Sequence, residues 1–218
     1  LFISVSLENS INSIMNQNYK TLLLSISEIA TKEHFEIYAV GGFVRDGILN
    51  VDSKDIDLVV IGDAIQFAQI LKKKLKSDYL VVYNRFGTAK IKINDFEIEL
   101  VSARSEIYQE NSRNPIVSNT NLENDLKRRD FTINCIAMDI SESRFGKLID
   151  PFLWQTDITN GIIRTPIDPE LTFFDDPLRI LRAVRFSTRF NYKIEQDTWE
   201  SIVNNVSRLS IISVERIW

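Results

Sequence analysis

The run Asp55-Ile56-Asp57-Leu58-Val59-Val60-Ile61 limits the possible folds of this chain more than any other segment. Its first half alternates acidic and apolar residues, whereas Leu58 to Ile61 is apolar at every position. A strand that is apolar on both faces belongs inside a sheet covered on both sides. The acidic half falls at the first residues of the strand, just after a polar turn, where water and ligands reach it. The neighbouring segments supply the covering layers. Apolar residues at helical spacing (Leu22, Leu23, Ile26, Ile29, Ala30) predict a helix over 19–33, and a second amphipathic helix follows over 63–76. Strands are predicted at 36–40, 79–83, 88–93, 97–101, 147–149 and 161–164. Residues 43–49 read as about two helical turns, and 122–138 as a longer helix. The segment 105–121 is polar, contains Pro115 and reads as a mobile loop. Beyond Pro166 the texture becomes helical, with helices over roughly 176–189 and 196–206. A soft domain boundary is therefore placed at 166–169.

Composition excludes several chemistries. Cys135 and His34 are the only residues of their types, so a cysteine zinc cluster, an internal disulfide and a paired-histidine mechanism are all ruled out. No apolar run approaches the length of a bilayer span, and a cytoplasmic location is expected. The net charge is −4, from 26 basic and 30 acidic residues. Nucleic-acid binding would have to come from local basic surface. The chain opens on Leu1, with Met15 further in, so residues 1–14 read as an upstream extension or as a first helix.

Asp55 and Asp57, two apart on a strand, point to one face with Cα atoms about 6.7 Å apart. Two such carboxylates repel unless a cation neutralises them, and a pair of divalent ions about 3.5–4 Å apart would do so. Glu97 and Glu99 alternate with Phe96, Ile98 and Leu100, so a neighbouring strand can offer a third carboxylate. Ligands made only of hard oxygens favour magnesium. The plainer reading, an acidic pair that merely solvates a strand edge, stays open for the bare motif. Upstream, Gly41-Gly42 stands between a strand and a short helix, where glycine lets a backbone approach phosphate. Arg45 lies in the first turns of that helix and could clamp a triphosphate. Together these features describe phosphoryl or nucleotidyl transfer.

Gly41-Gly42-Phe43-Val44-Arg45-Asp46, followed by Asp55-Ile56-Asp57, resembles the first motif of the class II tRNA nucleotidyltransferase and bacterial poly(A) polymerase family. Arg128-Arg129-Asp130-Phe131-Thr132-Ile133-Asn134 resembles the second, Asp150-Pro151-Phe152 through Asp157 and Gly161 the third, and Asp175-Asp176-Pro177-Leu178-Arg179 the fourth. Ser213 to Ile217 looks like the start of the fifth. The resemblance implies an α+β fold. Its catalytic head would be a small mixed sheet backed by helices over 19–166, preceded by an uncertain extension over 1–18. The start of an all-helical neck would follow over 167–218, truncated at its C-terminal end.

The resemblance also implies the activity: addition of CMP and AMP from CTP and ATP to a tRNA 3′ end with two Mg²⁺ ions. That RNA would be gripped mainly by C-terminal domains beyond this chain. Asp55, Asp57 and Glu99 would hold the metals, with Glu99 chosen over Glu97 by its distance from Arg104. Gly41, Gly42, Arg45, Arg129, Asp130, Asn134, Asp176, Arg179 and Arg182 would contact the nucleotide. Asp130 and Asn134 would take the sugar, and Asp176 with Arg179 the base edge. A poly(A) polymerase, an enzyme adding only CC or only A, and an inactive nucleotide- or RNA-binding fragment remain alternatives. Two departures from the pattern stand out. Leu153-Trp154 replaces two glycines of the third motif, which predicts a different turn, and Asp175 replaces a glutamate.

Helical projection of 176–190 puts Arg182, Arg185 and Arg189 on one face and Ile180, Ala183 and Val184 on the other. Phe173, Phe174 and Phe186 read as core.

Overall fold

A computed structural model describes residues 17–51, 55–109 and 112–213. The expected extension at 1–14 and most of the fifth motif (214–217) lie outside the described residues. In chain order the elements begin α1 (Gln17–Lys32), β1 (Glu36–Val40), α2 (Gly41–Ile48), β2 (Asp55–Ile61) and α3 (Ala64–Lys74). Next come β3 (Tyr79–Tyr83), β4 (Thr88–Ile93), β5 (Phe96–Ser102), β6 (Arg104–Gln109), β7 (Ser112–Asn119) and α4 (Leu122–Lys127). The remainder is β8 (Ala137–Asp139), β9 (Lys147–Ile149), α5 (Trp154–Asn160), β10 (Ile162–Ile163), α6 (Pro169–Asp175), α7 (Leu178–Phe190), β11 (Lys193–Ile194) and α8 (Gln196–Asn205).

These elements cluster into two compact units. One gathers the described residues up to Arg104 with Asn119–Asn124 and Ile136–Ile149; the other gathers Ser105–Ser118, Asp125–Cys135 and the described residues from Asp150 onward.

The first unit is built on a mixed sheet in the order β3-β4-β5-β2-β1-β8-β9. β2 runs parallel to β5 and antiparallel to β1, so it occupies the interior of the sheet, as its apolar second half requires. Leu58, Val59 and Val60 are at most 1 % exposed. α3 packs along β2 to β5, and its start is set by Asp63, whose carboxylate accepts from the Ile65 and Gln66 amides at 2.9 and 3.0 Å.

The second unit packs around Phe131, Ile133, Ile163, Phe173, Ile180, Ala183 and Phe186. The helix predicted over 176–189 is α7, and α6, which was not predicted, precedes it across a break at Asp176-Pro177. Proline has no amide to donate and holds the preceding residue out of the helical region, and Asp176 is extended (φ −142°, ψ 96°). The projected faces of α7 hold for Ile180 and Ala183, but Val184 is exposed, as is Phe174, over which the Arg208 guanidinium lies at 4.1 Å.

Two segments differ from expectation. Residues 105–121 contain a two-stranded ribbon, β6 with β7, in place of a loop. Its few apolar residues fall in adjacent pairs, Ile107-Tyr108 and Ile116-Val117, so the alternation that announces a half-buried strand is absent. The predicted helix over 122–138 stops at Lys127. Beyond it the Asp130 carboxylate takes the Phe131 amide at 2.9 Å, the Thr132 amide goes to the Arg164 carbonyl, and Ala137–Asp139 pairs with β1. Sheet pairing and side-chain capture of the backbone override the helical spacing there.

At the Leu153-Trp154 turn a leucine stands in a backbone conformation that favours glycine. Leu153 adopts φ 61°, ψ 32° with its side chain exposed, and Trp154 is fully buried. Asp150 secures the turn by accepting from the Trp154 amide at 2.8 Å.

No helix among the described residues is long and apolar enough to cross a membrane.

Candidate active site

Two constellations carry the predicted residues, one in each unit. In the first, the parallel register pairs Asp55 with Glu97 and Asp57 with Glu99. The side chains of paired residues on adjacent strands share a face, so all four carboxylates lie on the same side of the sheet. The antiparallel β4 then sets Lys92 opposite Glu97 and Lys90 opposite Glu99. Two rungs result, Asp55–Glu97–Lys92 and Asp57–Glu99–Lys90. The reverse face is the covered one, with Ile56, Ile91 and Ile98 at most 1 % exposed.

Lys90 Nζ lies 3.1 Å from Glu99 Oε2. The hydrogen bond to Glu99 and its charge hold the Lys90 ammonium above its ordinary pKa. Among the described residues, no three histidine, cysteine or acidic side chains are already gathered as a metal-ready cluster. Lys90 was missed in the sequence. Its alternation with Ala89 and Ile91 marked it as surface, but nothing local told which strand lay beside it.

The Gly41-Gly42 turn follows β1, whose register Ala39↔Leu58 brings the turn alongside the acidic start of β2. Gly41 has φ 64°, a conformation that favours glycine. Arg45 is buried at 3 % exposure and forms an ion pair with Asp46 at 2.6 Å. Its Nη2 lies 3.4 Å from where a Cβ on Gly42 would stand. The guanidinium therefore props the glycine turn.

In the second unit, residues some fifty positions apart converge. Asp130, 7 % exposed, accepts Arg182 Nε at 2.6 Å and Asn134 Nδ2 at 2.9 Å. Arg179, 8 % exposed, donates from Nη2 to the Arg128 carbonyl at 2.8 Å. Asp176 accepts the Leu178 amide at 3.1 Å. Asp125, which the sequence reading passed over, is fully buried and receives Arg128 at 2.7 Å and Arg129 at 3.0 Å. Its i+3 and i+4 spacing to two arginines was the available signal.

Burial pushes the Asp125 and Asp130 carboxyls up, but for Asp125 the Arg129 and Arg128 charges outweigh it. For Asp130 the Arg182 charge, the Asn134 hydrogen bond and Arg179 do the same, and both groups end below the usual carboxylate range. Cys135 is buried with its thiol pKa raised by desolvation, consistent with a packing role.

A depressed folded-state pKa contributes stability that is complete above the unfolded value of about 3.9 and is lost as pH falls through the folded value. Thermal midpoints should therefore stay flat from neutral pH down to about 5 and fall steeply below about 4. Asp125→Asn and Asp130→Asn should each flatten that acid limb. An unchanged limb in both variants would mean that other groups set it.

The chain belongs to the poly(A) polymerase head-domain family, whose model matches residues 37–164. An A-adding tRNA nucleotidyltransferase of Halalkalibacterium halodurans is 38 % identical over 200 residues, covering 89 % of this chain and 45 % of that protein. A CCA-adding enzyme of a Geobacillus species is 36 % identical over 196 residues, covering 89 % and 46 %. The Thermotoga maritima CCA-adding enzyme, solved in complex with tRNA, superposes with a TM-score of 0.83 at 32 % identity, covering 97 % of this chain and 48 % of that one. The chain thus spans about half the length of the relatives it matches.

Proposed function

We propose that this chain carries the nucleotidyl-transfer centre of a cytoplasmic tRNA nucleotidyltransferase. An RNA 3′-hydroxyl attacks the α-phosphate of CTP or ATP and pyrophosphate leaves. The observation that carries the reading is the register of β2 and β5, which puts Asp55, Asp57 and Glu99 on one face beside a glycine turn. An all-oxygen donor set of this kind suits magnesium, with Asp55, Asp57 and Glu99 as its holders. When bound, two such ions would activate the 3′-hydroxyl and neutralise the triphosphate.

The chain's own groups do the positioning. The Gly41-Gly42 backbone receives phosphate, held in shape from beneath by Arg45. Asp130, which accepts from both Asn134 and Arg182, addresses the sugar together with Asn134, and Arg129 is fixed by Asp125. Asp176 and Arg179 read the base edge. The tRNA 3′ end is the acceptor, gripped mainly by parts of the full-length protein beyond the matched half of the relatives.

Product length tests the reading. The full-length protein should extend a tRNA lacking its 3′ terminus by CCA from CTP and ATP. Addition of a single A only to tRNA ending in CC is the second outcome, favoured by the A-adding relative at 38 % identity. Long homopolymeric tails, or no extension, would contradict the assignment to tRNA.

Arg179→Ala should relax discrimination against GTP and UTP by about ten- to a hundredfold, the worth of hydrogen bonds from a charged group. Triphosphate affinity should change less. Because Arg179 also ties α7 to the Arg128 carbonyl, Arg179→Lys serves as the structural control. Unchanged discrimination in the alanine variant would reduce Arg179 to a structural tie.

A further inference from the structure

The acidic face contains its own cations. Lys90 and Lys92 extend from alternate positions of β4, and the register sets them opposite Glu99 and Glu97 on the side away from β2. Only the covered alternates, Ala89, Ile91 and Ile93, are needed to pack the strand. Lys90 is engaged, with its Nζ 3.1 Å from Glu99 Oε2. The two side chains are 47 % and 36 % exposed, so the bond is partly solvated and exchangeable.

We propose that Lys90 is the resident counter-ion of this face: it holds Glu99 while no divalent cation is present and releases it when one binds. The proposal rests on the reading above, in which this face takes magnesium.

Charge and reach both support the exchange. Four carboxylates against two lysines leave the two rungs at net −2, and a dication supplies what a single ammonium cannot. A solvated lysine with a flexible stem is displaced at low cost. Once displaced, it remains beside a cation-filled face to which a triphosphate would come. Lys90 therefore opposes metal binding by the free protein, and that opposition fades when an anionic nucleotide arrives to take its charge. Metal and nucleotide are thereby coupled, and each raises the affinity for the other.

The test reads metal binding directly. The full-length protein is titrated with Mn²⁺ alone, following free ion by electron paramagnetic resonance, and with Mg²⁺ by calorimetry. Lys90→Met should bind Mn²⁺ about three- to tenfold more tightly than wild type without nucleotide, because one opposing charge is gone. Lys90→Arg should bind as wild type does. Lys92→Met, on the outer rung, should show the smaller change. Affinity in Lys90→Met equal to or weaker than wild type would overturn the proposal while leaving the metal site in place. A larger gain in Lys92→Met than in Lys90→Met would also overturn it. Failure of wild type and all variants to bind Mn²⁺ at millimolar concentration would overturn the underlying reading as well.

Discussion

Asp55→Ala or Asp57→Ala should abolish nucleotidyl transfer and leave the protein folded. The two carboxylates share the open face of β2, each beside a glutamate of β5, and packing there has no use for four acids in a row. Metal-borne charge stabilisation is worth several kcal/mol, so losing either ligand should lower single-turnover transfer by about 10³-fold or more. Asp55 is exposed and Asp57 half-buried. Truncation leaves no large cavity and removes like-charge repulsion, and the stability change should stay within about 1 kcal/mol. Asp57→Asn keeps the shape and should lose activity equally, which separates charge from volume. Transfer within about tenfold of wild type in the alanine variants would remove these residues from the chemistry.

Trp154→Ala has the largest expected effect on stability, and its neighbour the opposite sign. Trp154 is among the largest fully buried side chains, and truncating such a residue costs about 3–5 kcal/mol. Leu153 is 58 % exposed at φ 61°. A left-handed conformation costs a non-glycine residue about 1–2 kcal/mol, against about 0.5–1 kcal/mol of extra chain entropy lost by glycine. Leu153→Gly should therefore be neutral or stabilising by up to about 1 kcal/mol. Denaturant midpoints of the two variants decide the matter. A destabilised Leu153→Gly would show that the leucine side chain packs more tightly than its exposure suggests.

These residues also mark where the sequence could be read and where it could not. The half-alternating, half-apolar run of β2 announced an interior strand with an acidic start, and alternation in β5 announced Glu97 and Glu99 on one face. Both are local, period-two signals. Which strand stood beside which was not local. The parallel pairing of β2 with β5 and the place of Lys90 depend on the order of the sheet, which no spacing encodes. The same holds for Asp130 and Arg182, whose ion pair joins segments 52 residues apart. Both had been read as nucleotide contacts, Asp130 from its motif and Arg182 from outside any motif, but their pairing with each other emerged only with packing. The helix predicted across 122–138 failed where Asp130 captured the backbone, and the polar ribbon of β6 and β7 carried no apolar period to detect. At Leu153 the cap at Asp150 and the buried Trp154 hold a leucine in a conformation where a glycine would sit unstrained, which no local spacing announces.

The most direct measurement is single-turnover transfer by the full-length protein, with α-labelled CTP or ATP and a tRNA lacking its 3′ terminus, in the presence and absence of Mg²⁺. Label should enter the RNA with release of pyrophosphate only when Mg²⁺ is present, and Asp57→Asn should abolish it. Well-folded wild-type protein that transfers no label, or transfers it equally well with Asp57 neutralised, would contradict a nucleotidyl-transfer centre on the β2–β5 face.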